Sequence, residues 1–436
     1  MTLITLTPPP VQHRTESLPV AIIGAGPIGL AAAAHLIERG IAVRIYEAGE
    51  TVADSMRQWG HVRLFSPWRY LVDDSARRLL EPSGWQVPDP SVLPTGHELI
   101  DQYLIPLAST PSIADGLVLG AEVVGIARAG MDRTRTQGRS GAPFTIRFRT
   151  PEGDIVEERA RFVIDASGTY RSPNSLSSDG LEPIGAEAAA DRIERAMPDV
   201  LGSDRERFAG RTVAVVGAGH SAANTLLALA QLAEEEPSTR VLWCIRNASA
   251  VRVTTSEDDE LIARAALDGR VEELVRQGRI ERLDRFEIAR LERTAEGVEL
   301  IGRRGGEPMR IEVDRVVNAT GYRPDLAMLR EIRLDLDDIV EAPRLLAPLI
   351  DPNEHTCGTV EAHGFGELRQ PEEGFFILGM KSYGRAPTFL LATGHEQVRS
   401  VAAWMAGDSA AVAARELGLP ATGVCSTDVG GSGCCA

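Results

Sequence analysis

The stretch Val20-Ala21-Ile22-Ile23-Gly24-Ala25-Gly26-Pro27-Ile28-Gly29 decides the reading of the fold. Four consecutive apolar residues make a short strand with both faces buried. The Ala/Leu-rich run Pro27 to Arg39 that follows predicts a helix, opened by a proline in its first turn and stopped by Gly40. Val43-Arg44-Ile45-Tyr46 is a second strand, so the unit is strand–helix–strand, with parallel strands and a right-handed crossover. Gly24, Gly26 and Gly29 carry the G-x-G-x-x-G spacing at the strand-to-helix turn. The first glycine permits the tight turn, the second lets a pyrophosphate approach the backbone, and the third lets helix pack on strand. The helix end that begins at Pro27 and Ile28 supplies free N–H groups and a positive dipole end to phosphate.

Glu47 follows the second strand, where a carboxylate accepts hydrogen bonds from both hydroxyls of an adenosine ribose and repels a 2′-phosphate. The first unit therefore suits FAD or NAD. The pattern returns in Val213-Ala214-Val215-Val216 and Gly217-Ala218-Gly219-His220-Ser221-Ala222, then a helix to Glu235 and a strand Arg240 to Ile245. Alanine at the third small position is an accepted variant. Here the second strand is followed by Arg246 rather than an acid, and charge plus paired N–H donors favour a 2′-phosphate, which predicts NADPH.

Two such units, in a chain of 436 residues, predict an α/β protein with two Rossmann-like dinucleotide-binding domains and parallel sheets. Ala121 to Arg149 reads as strands joined by a polar loop, Phe162 to Asp165 and Arg315 to Asn318 as buried strands, and Thr255 to Gln277 as an acidic helical stretch. Gly374 to Leu378 is one more strand and His395 to Ala406 one more helix, with Thr393 and Glu396 as its capping box. The expected organisation is a disordered leader over 1–18, a discontinuous FAD domain over 19–171 and 319–410, an inserted linker plus NADPH domain over 172–318, and a mobile cysteine-containing tail over 411–436.

Lys+Arg total 46 against Asp+Glu 62, a net charge of −16, which argues against nucleic acid and anionic membrane as partners. No stretch approaches the roughly 18 apolar residues of a spanning helix, and five cysteines do not make a disulfide framework, so a cytoplasmic location is expected. Every basic residue is arginine except Lys381, a position that calls for a compact ammonium in the functional reading and is a survivor of codon bias in the bland one.

With the two glycine turns, Glu47, and the paired strand ends Asp165-Ala166-Ser167-Gly168-Thr169 and Asn318-Ala319-Thr320-Gly321-Tyr322, the sequence resembles flavoproteins built from two dinucleotide-binding domains. The resemblance implies FAD in the outer domain and NADPH in the inserted one. It implies that Glu47 holds the adenosine ribose, that Val123 meets the adenine through its backbone, that Gln58 and Trp59 lie near the isoalloxazine, and that Gly168 and Gly321 line the crossings beside the cofactors. No Cys-x-x-Cys or Cys-x4-Cys occurs, which excludes a dithiol relay at the flavin of the thioredoxin or glutathione reductase kind. Gly379-Met380 stands where such chains often have Gly-Asp on the ribityl chain. The branch it then resembles is the NADPH-dependent flavin monooxygenases (class B type), although their Phe-x-Gly-x3-His signature is missing: Phe208-Ala209-Gly210 leads to Ala214.

The expected activity is that of an FAD-dependent NADPH monooxygenase. A flavin C4a-hydroperoxide would oxygenate a soft nucleophile (nitrogen, sulfur or metalloid), with a small-molecule substrate and O2 as partners. The resemblance implies that the helix start beginning near Thr393 faces the flavin, which makes the nearby Lys381 and Arg385 the candidate catalytic cations. One alternative is an NADPH-dependent reductase of thiol-bound metal or metalloid or of quinones. A non-catalytic FAD-binding redox sensor is the alternative of another class. Cys425, Cys434 and Cys435 resemble the vicinal-cysteine tail of mercuric reductases and would suit Hg(II), As(III) or Cu(I), a link to metalloid resistance; a tail with no catalytic part is the plainer reading. His61 is a second candidate for reaching the flavin, whereas His35 and Cys244 read as packing residues and Asp335-Leu336-Asp337-Asp338 as a solvated edge.

Overall fold

The computed structural model describes residues 17–249, 262–351, 363–386 and 389–414. Strands β1 (Val20–Ile23), β2 (Val43–Tyr46), β3 (Leu117–Val118), β7 (Phe162–Asp165) and β16 (Phe375–Ile377) form a five-stranded parallel sheet in the order β16-β7-β1-β2-β3. Between β3 and β7 a three-stranded antiparallel sheet is inserted from β4 (Glu122–Arg128), β5 (Phe144–Arg149) and β6 (Ile155–Ala160). The second parallel sheet has the order β11-β10-β9-β15-β8, from β8 (Ile193–Arg195), β9 (Thr212–Val216), β10 (Arg240–Cys244), β11 (Glu281–Leu283) and β15 (Arg315–Asn318). It too carries a three-stranded antiparallel appendage, β12 (Phe286–Arg293), β13 (Val298–Arg304) and β14 (Glu307–Val313).

The predicted α/β class with two parallel sheets holds. The first sheet is completed by β16, more than two hundred residues after β7, because the chain leaves to build the second sheet and returns. The apolar runs pack as their composition dictates: β1 is buried throughout, and α1 (Pro27–Glu38) is buried along Ile28 to Leu36, its four consecutive alanines letting it sit close to the sheet. It packs on the Leu391–Met405 helix and on the short Asp74–Leu80 helix.

Several expected details change. The Leu391–Met405 helix starts four residues before His395 and its N-cap is Leu390 without a side-chain cap, so the Thr393/Glu396 capping box is not formed. Glu396 pairs with Arg399 at 2.6 Å instead, because both lie inside the helix at i,i+3. The segment read as a linker contributes β8 as an edge strand of the second sheet. The tail expected from 411 still has helix at its start, Ser409–Ala413. The acidic helix is seen from Ile262 to Arg276. Residues 1–16 of the leader, and Cys425, Cys434 and Cys435, lie outside the described residues. Among the described residues no helix is long and apolar enough to cross a membrane, and no group of three His, Cys, Asp or Glu could hold a metal.

Candidate active site

A cavity of about 610 Å³ opens at the carboxyl ends of β1, β2 and β7, the place where open parallel sheets bind ligands, and its size falls in the range of cofactor sites. Its floor is the first glycine turn. Gly24 has φ +97°, and a Cβ there would lie 2.8 Å from the Ala166 carbonyl oxygen; a Cβ on Gly29 would sit 1.9 Å from the Gly24 oxygen. These two glycines are therefore demanded by the protein's own packing. Gly26 differs, since a Cβ there would meet no atom within 4 Å, so its missing side chain leaves open space over the turn. The first hydrogen bond of α1 runs from Leu30 N–H to Gly26 O (3.0 Å), leaving the N–H groups of Ile28 and Gly29 at the open helix end.

Glu47 is buried in the wall. Its Oε2 accepts from Ala25 N–H at 2.7 Å and its Oε1 from Gly49 N–H at 2.8 Å, which ties the end of β2 to the glycine turn. A carboxylate has about four acceptor sites, so Glu47 keeps capacity for two ribose hydroxyls. The open space above Gly26, the uncapped helix end and this fixed acid are together what an adenine dinucleotide requires.

Further walls come from distant segments. Val123, Gly168, Trp59, Gly379, Met380 and Lys381 all line the cavity, as do Pro27 and Ile28. Met56, Leu64, Leu71, Leu99 and Phe389 give one side an apolar surface, and Met197, His220, Tyr170 and Tyr322 close the side toward the second sheet. Tyr170 and Tyr322 sit with ring centroids 5.3 Å apart, and burial pushes both phenols upward. The uncapped end of the Leu391–Met405 helix also reaches the cavity through Leu390 and Leu391, and no acid in its first turn offsets its dipole.

Three candidates are placed elsewhere, and a fourth is in place but paired. Gln58 is exposed and its Oε1 accepts from Arg195 at 3.4 Å, outside the cavity wall. Arg385 is exposed beyond the turn that follows the Gly379–Tyr383 segment and does not reach the cavity. His61 is half-buried beside Pro198 and Asp199; burial lowers its pKa, and it too misses the wall. Lys381 does line the cavity, yet it is not a free cation: its Nζ lies 2.7 Å from Asp165 Oδ2. Its partner could be suspected from sequence only as an acid placed just before Ala166-Ser167-Gly168.

The second glycine turn lies apart from this cavity, apart from His220. Gly217 has φ +136°, and a Cβ there would be 2.1 Å from Ala319 O, whereas Gly219 faces open space as Gly26 does. The helix His220–Glu235 opens on Gly219, with Ser221 and Ala222 in its first turn. Arg246 is exposed two residues beyond β10. Gly321, at φ +97°, accepts from Asn174 N–H through its carbonyl (2.9 Å) at the crossing between the sheets. A contact not evident from sequence is Trp243 Nε1–H to Gly217 O, 2.7 Å, from the middle of β10 onto the turn. Cys244 is buried and its thiol is pushed up to about 12 by burial, an inert packing residue.

Two parallel sheets, each opened by a glycine turn, with a cavity between the first turn and the second domain, define a two-dinucleotide oxidoreductase. Residues 149–345 match the family model described as pyridine nucleotide-disulphide oxidoreductase, and residues 22–83 match the NAD(P)-binding Rossmann-like domain. The chain is an FAD- and NAD(P)H-dependent oxidoreductase. Among solved structures it is similar to the bacillithiol disulfide reductase of Bacillus cereus (19% identity, 89% of this chain and 99% of that one, TM-score 0.66). It is also similar to the ornithine N-hydroxylase of Kutzneria sp. 744 (19%, 88% and 98%, 0.58) and to the thioredoxin reductase of T. acidophilum (18%, 90% and 99%, 0.56). No curated protein sequence matches the chain significantly.

Proposed function

We infer that the protein is an FAD-dependent NADPH monooxygenase acting on a small soft nucleophile. The observation that carries this reading is that, among the described residues, no thiol borders the cavity. The sequence has no Cys-x-x-Cys or Cys-x4-Cys pair, and the described wall of the cavity contains no cysteine, Cys244 being buried in the other domain. With no thiol acceptor bordering the cavity, O2 would be the acceptor this site offers to a bound flavin.

FAD, when bound, accepts hydride from the nicotinamide and delivers electrons to O2. The chain's own residues do the rest. Gly26 and the open end of α1 receive the pyrophosphate, Glu47 the adenosine ribose and the Val123 backbone the adenine, while Gly168, Gly379 and Met380 border the remainder. The second turn, Gly217 to Ala222, receives NADPH, with Arg246 on its 2′-phosphate. Met56, Trp59, Leu64, Leu71, Leu99 and Phe389 form an apolar wall that excludes water from the reacting groups, which protects reactive oxygen chemistry from hydrolysis. The similarity to an ornithine N-hydroxylase fold is compatible with oxygenation of nitrogen.

The test is anaerobic reduction of the holoenzyme by NADPH and by NADH, followed by addition of 18O2 and candidate amines, thiols and arsenite. Faster reduction by NADPH and 18O in a product support the reading. Turnover at the same rate without O2, on a disulfide or quinone acceptor, would establish a reductase instead, the activity that the matched family's description favours.

A further inference from the structure

Lys381 is the only lysine among 46 basic residues, and its side chain is 1% exposed while forming part of the cavity wall. Its ammonium has three N–H donors. One is used on Asp165 Oδ2 (2.7 Å) and one on Ser167 Oγ (3.1 Å); among the described residues the third has no partner. Asp165 is itself fully buried, and its other oxygen accepts from Ser167 N–H (3.1 Å) and Ser167 O–H (2.6 Å). The three residues thus form a closed cluster at the ends of adjacent strands β7 and β16, joining two segments that are 216 residues apart in sequence. A buried cation with an unspent donor is costly unless a ligand takes it. A planar guanidinium with five donors would overfill the place that a compact ammonium fits, which is a reason for lysine here in a chain that otherwise uses arginine.

We propose that the third N–H of Lys381 is spent on the bound flavin nucleotide, and that the Lys381–Asp165 pair sets the flavin's reduction potential, with the lysine favouring the reduced, more negative form and the aspartate tempering it. The proposal rests on the reading that this cavity holds FAD. On this proposal Lys381 keeps its expected place beside the flavin as a charge balanced by Asp165, and Arg385, exposed and off the cavity wall, has no part in it.

The measurement is the two-electron midpoint potential and the FAD dissociation constant of the holoenzyme, for the wild type, Lys381→Met and Asp165→Asn. Lys381→Met lowers the affinity for reduced over oxidised flavin about tenfold, moving the potential about 30 mV more negative. Asp165→Asn moves it in the positive direction. A cluster that served only as a clamp between strands would weaken FAD binding in both variants and leave the potential of the retained flavin unmoved, or move both the same way; either result overturns the proposal. If Lys381→Met does not fold, the double variant Lys381→Met/Asp165→Asn, which removes both charges together, must give a potential more negative than Asp165→Asn alone. A wild-type protein that takes up no flavin at all overturns the FAD reading itself, which is a different result from flavin bound at an unshifted potential.

Discussion

Glu47 Oε2 lies 2.7 Å from Ala25 N–H, so the acid at the end of the second strand is bonded to the glycine turn that follows the first. One side chain therefore shapes the glycine turn from within and keeps spare lone pairs where the proposed nucleotide's ribose would lie. Its other oxygen holds Gly49 N–H, and the turn cannot relax without leaving buried donors unpaired. Glu47→Ala leaves both N–H groups without their acceptor, at about 1–3 kcal/mol each. The variant should purify largely free of FAD and melt at lower temperature. Glu47→Gln, which keeps one acceptor, should fall between it and the wild type in bound flavin per chain.

The glycines of the first turn separate into two kinds. Gly29→Ala drives a Cβ to 1.9 Å from a backbone oxygen and should yield little soluble protein. Gly26→Ala meets nothing within 4 Å, so the apoprotein should keep its urea midpoint while FAD affinity, followed by fluorescence, drops at least tenfold. Equal damage from the two substitutions would show that the space over Gly26 is not where the nucleotide lies.

At the second turn, Trp243→Phe removes the 2.7 Å hydrogen bond to Gly217 O, worth about 1 kcal/mol. The expected result is a KM for NADPH raised severalfold with bound FAD unchanged. Arg246→Ala should cost NADPH on the order of tenfold or more in kcat/KM for flavin reduction, the worth of charged hydrogen bonds, and leave NADH nearly untouched. An unaltered NADPH/NADH ratio would remove Arg246 from the 2′-phosphate.

The helices behind the first sheet give a pH prediction. Asp73 is 3% exposed; burial pushes its pKa up, but the His35 Nε2 contact at 2.9 Å, the His35 charge and Ala76 N–H outweigh it and hold the pKa at about 2. A pKa below the unfolded value of about 3.9 means that ionised Asp73 stabilises the fold above that pH. That contribution, of order 2–3 kcal/mol, is lost as pH falls toward 2. Asp73→Asn should therefore be less stable at pH 7 and lose less between pH 4 and pH 2.5, as urea midpoints at the three pH values will show.

His35 shows how far its residue type could be read in advance: an apolar helix face predicts packing, and the structure adds that its partners are Asp73 and Ser75, both some forty residues away. The cavity wall divides similarly. Gly24, Gly26, Glu47 and Trp59 were readable because each sits at a fixed offset from a strand end or in an aromatic run. Leu64, Leu71, Leu99 and Phe389 were not, because nothing local marks an apolar residue as facing a cavity rather than a core. The capping box at Thr393 failed for a related reason, since helix starts depend on which residues packing allows before the signal.

What the amino-acid order determined alone was the pair of strand–turn–helix–strand units, the identity of their glycines and the sign of the charge after each second strand, because strand runs, tight turns and helix ends are written in residues a few positions apart. The tertiary structure alone decided that Lys381 meets Asp165, that Trp243 bonds Gly217, and that Arg385 and Gln58 face away from the cavity. Those outcomes depend on side-chain direction and on strands paired across hundreds of residues, and they are fixed only when the parallel sheets close and every buried donor must find an acceptor.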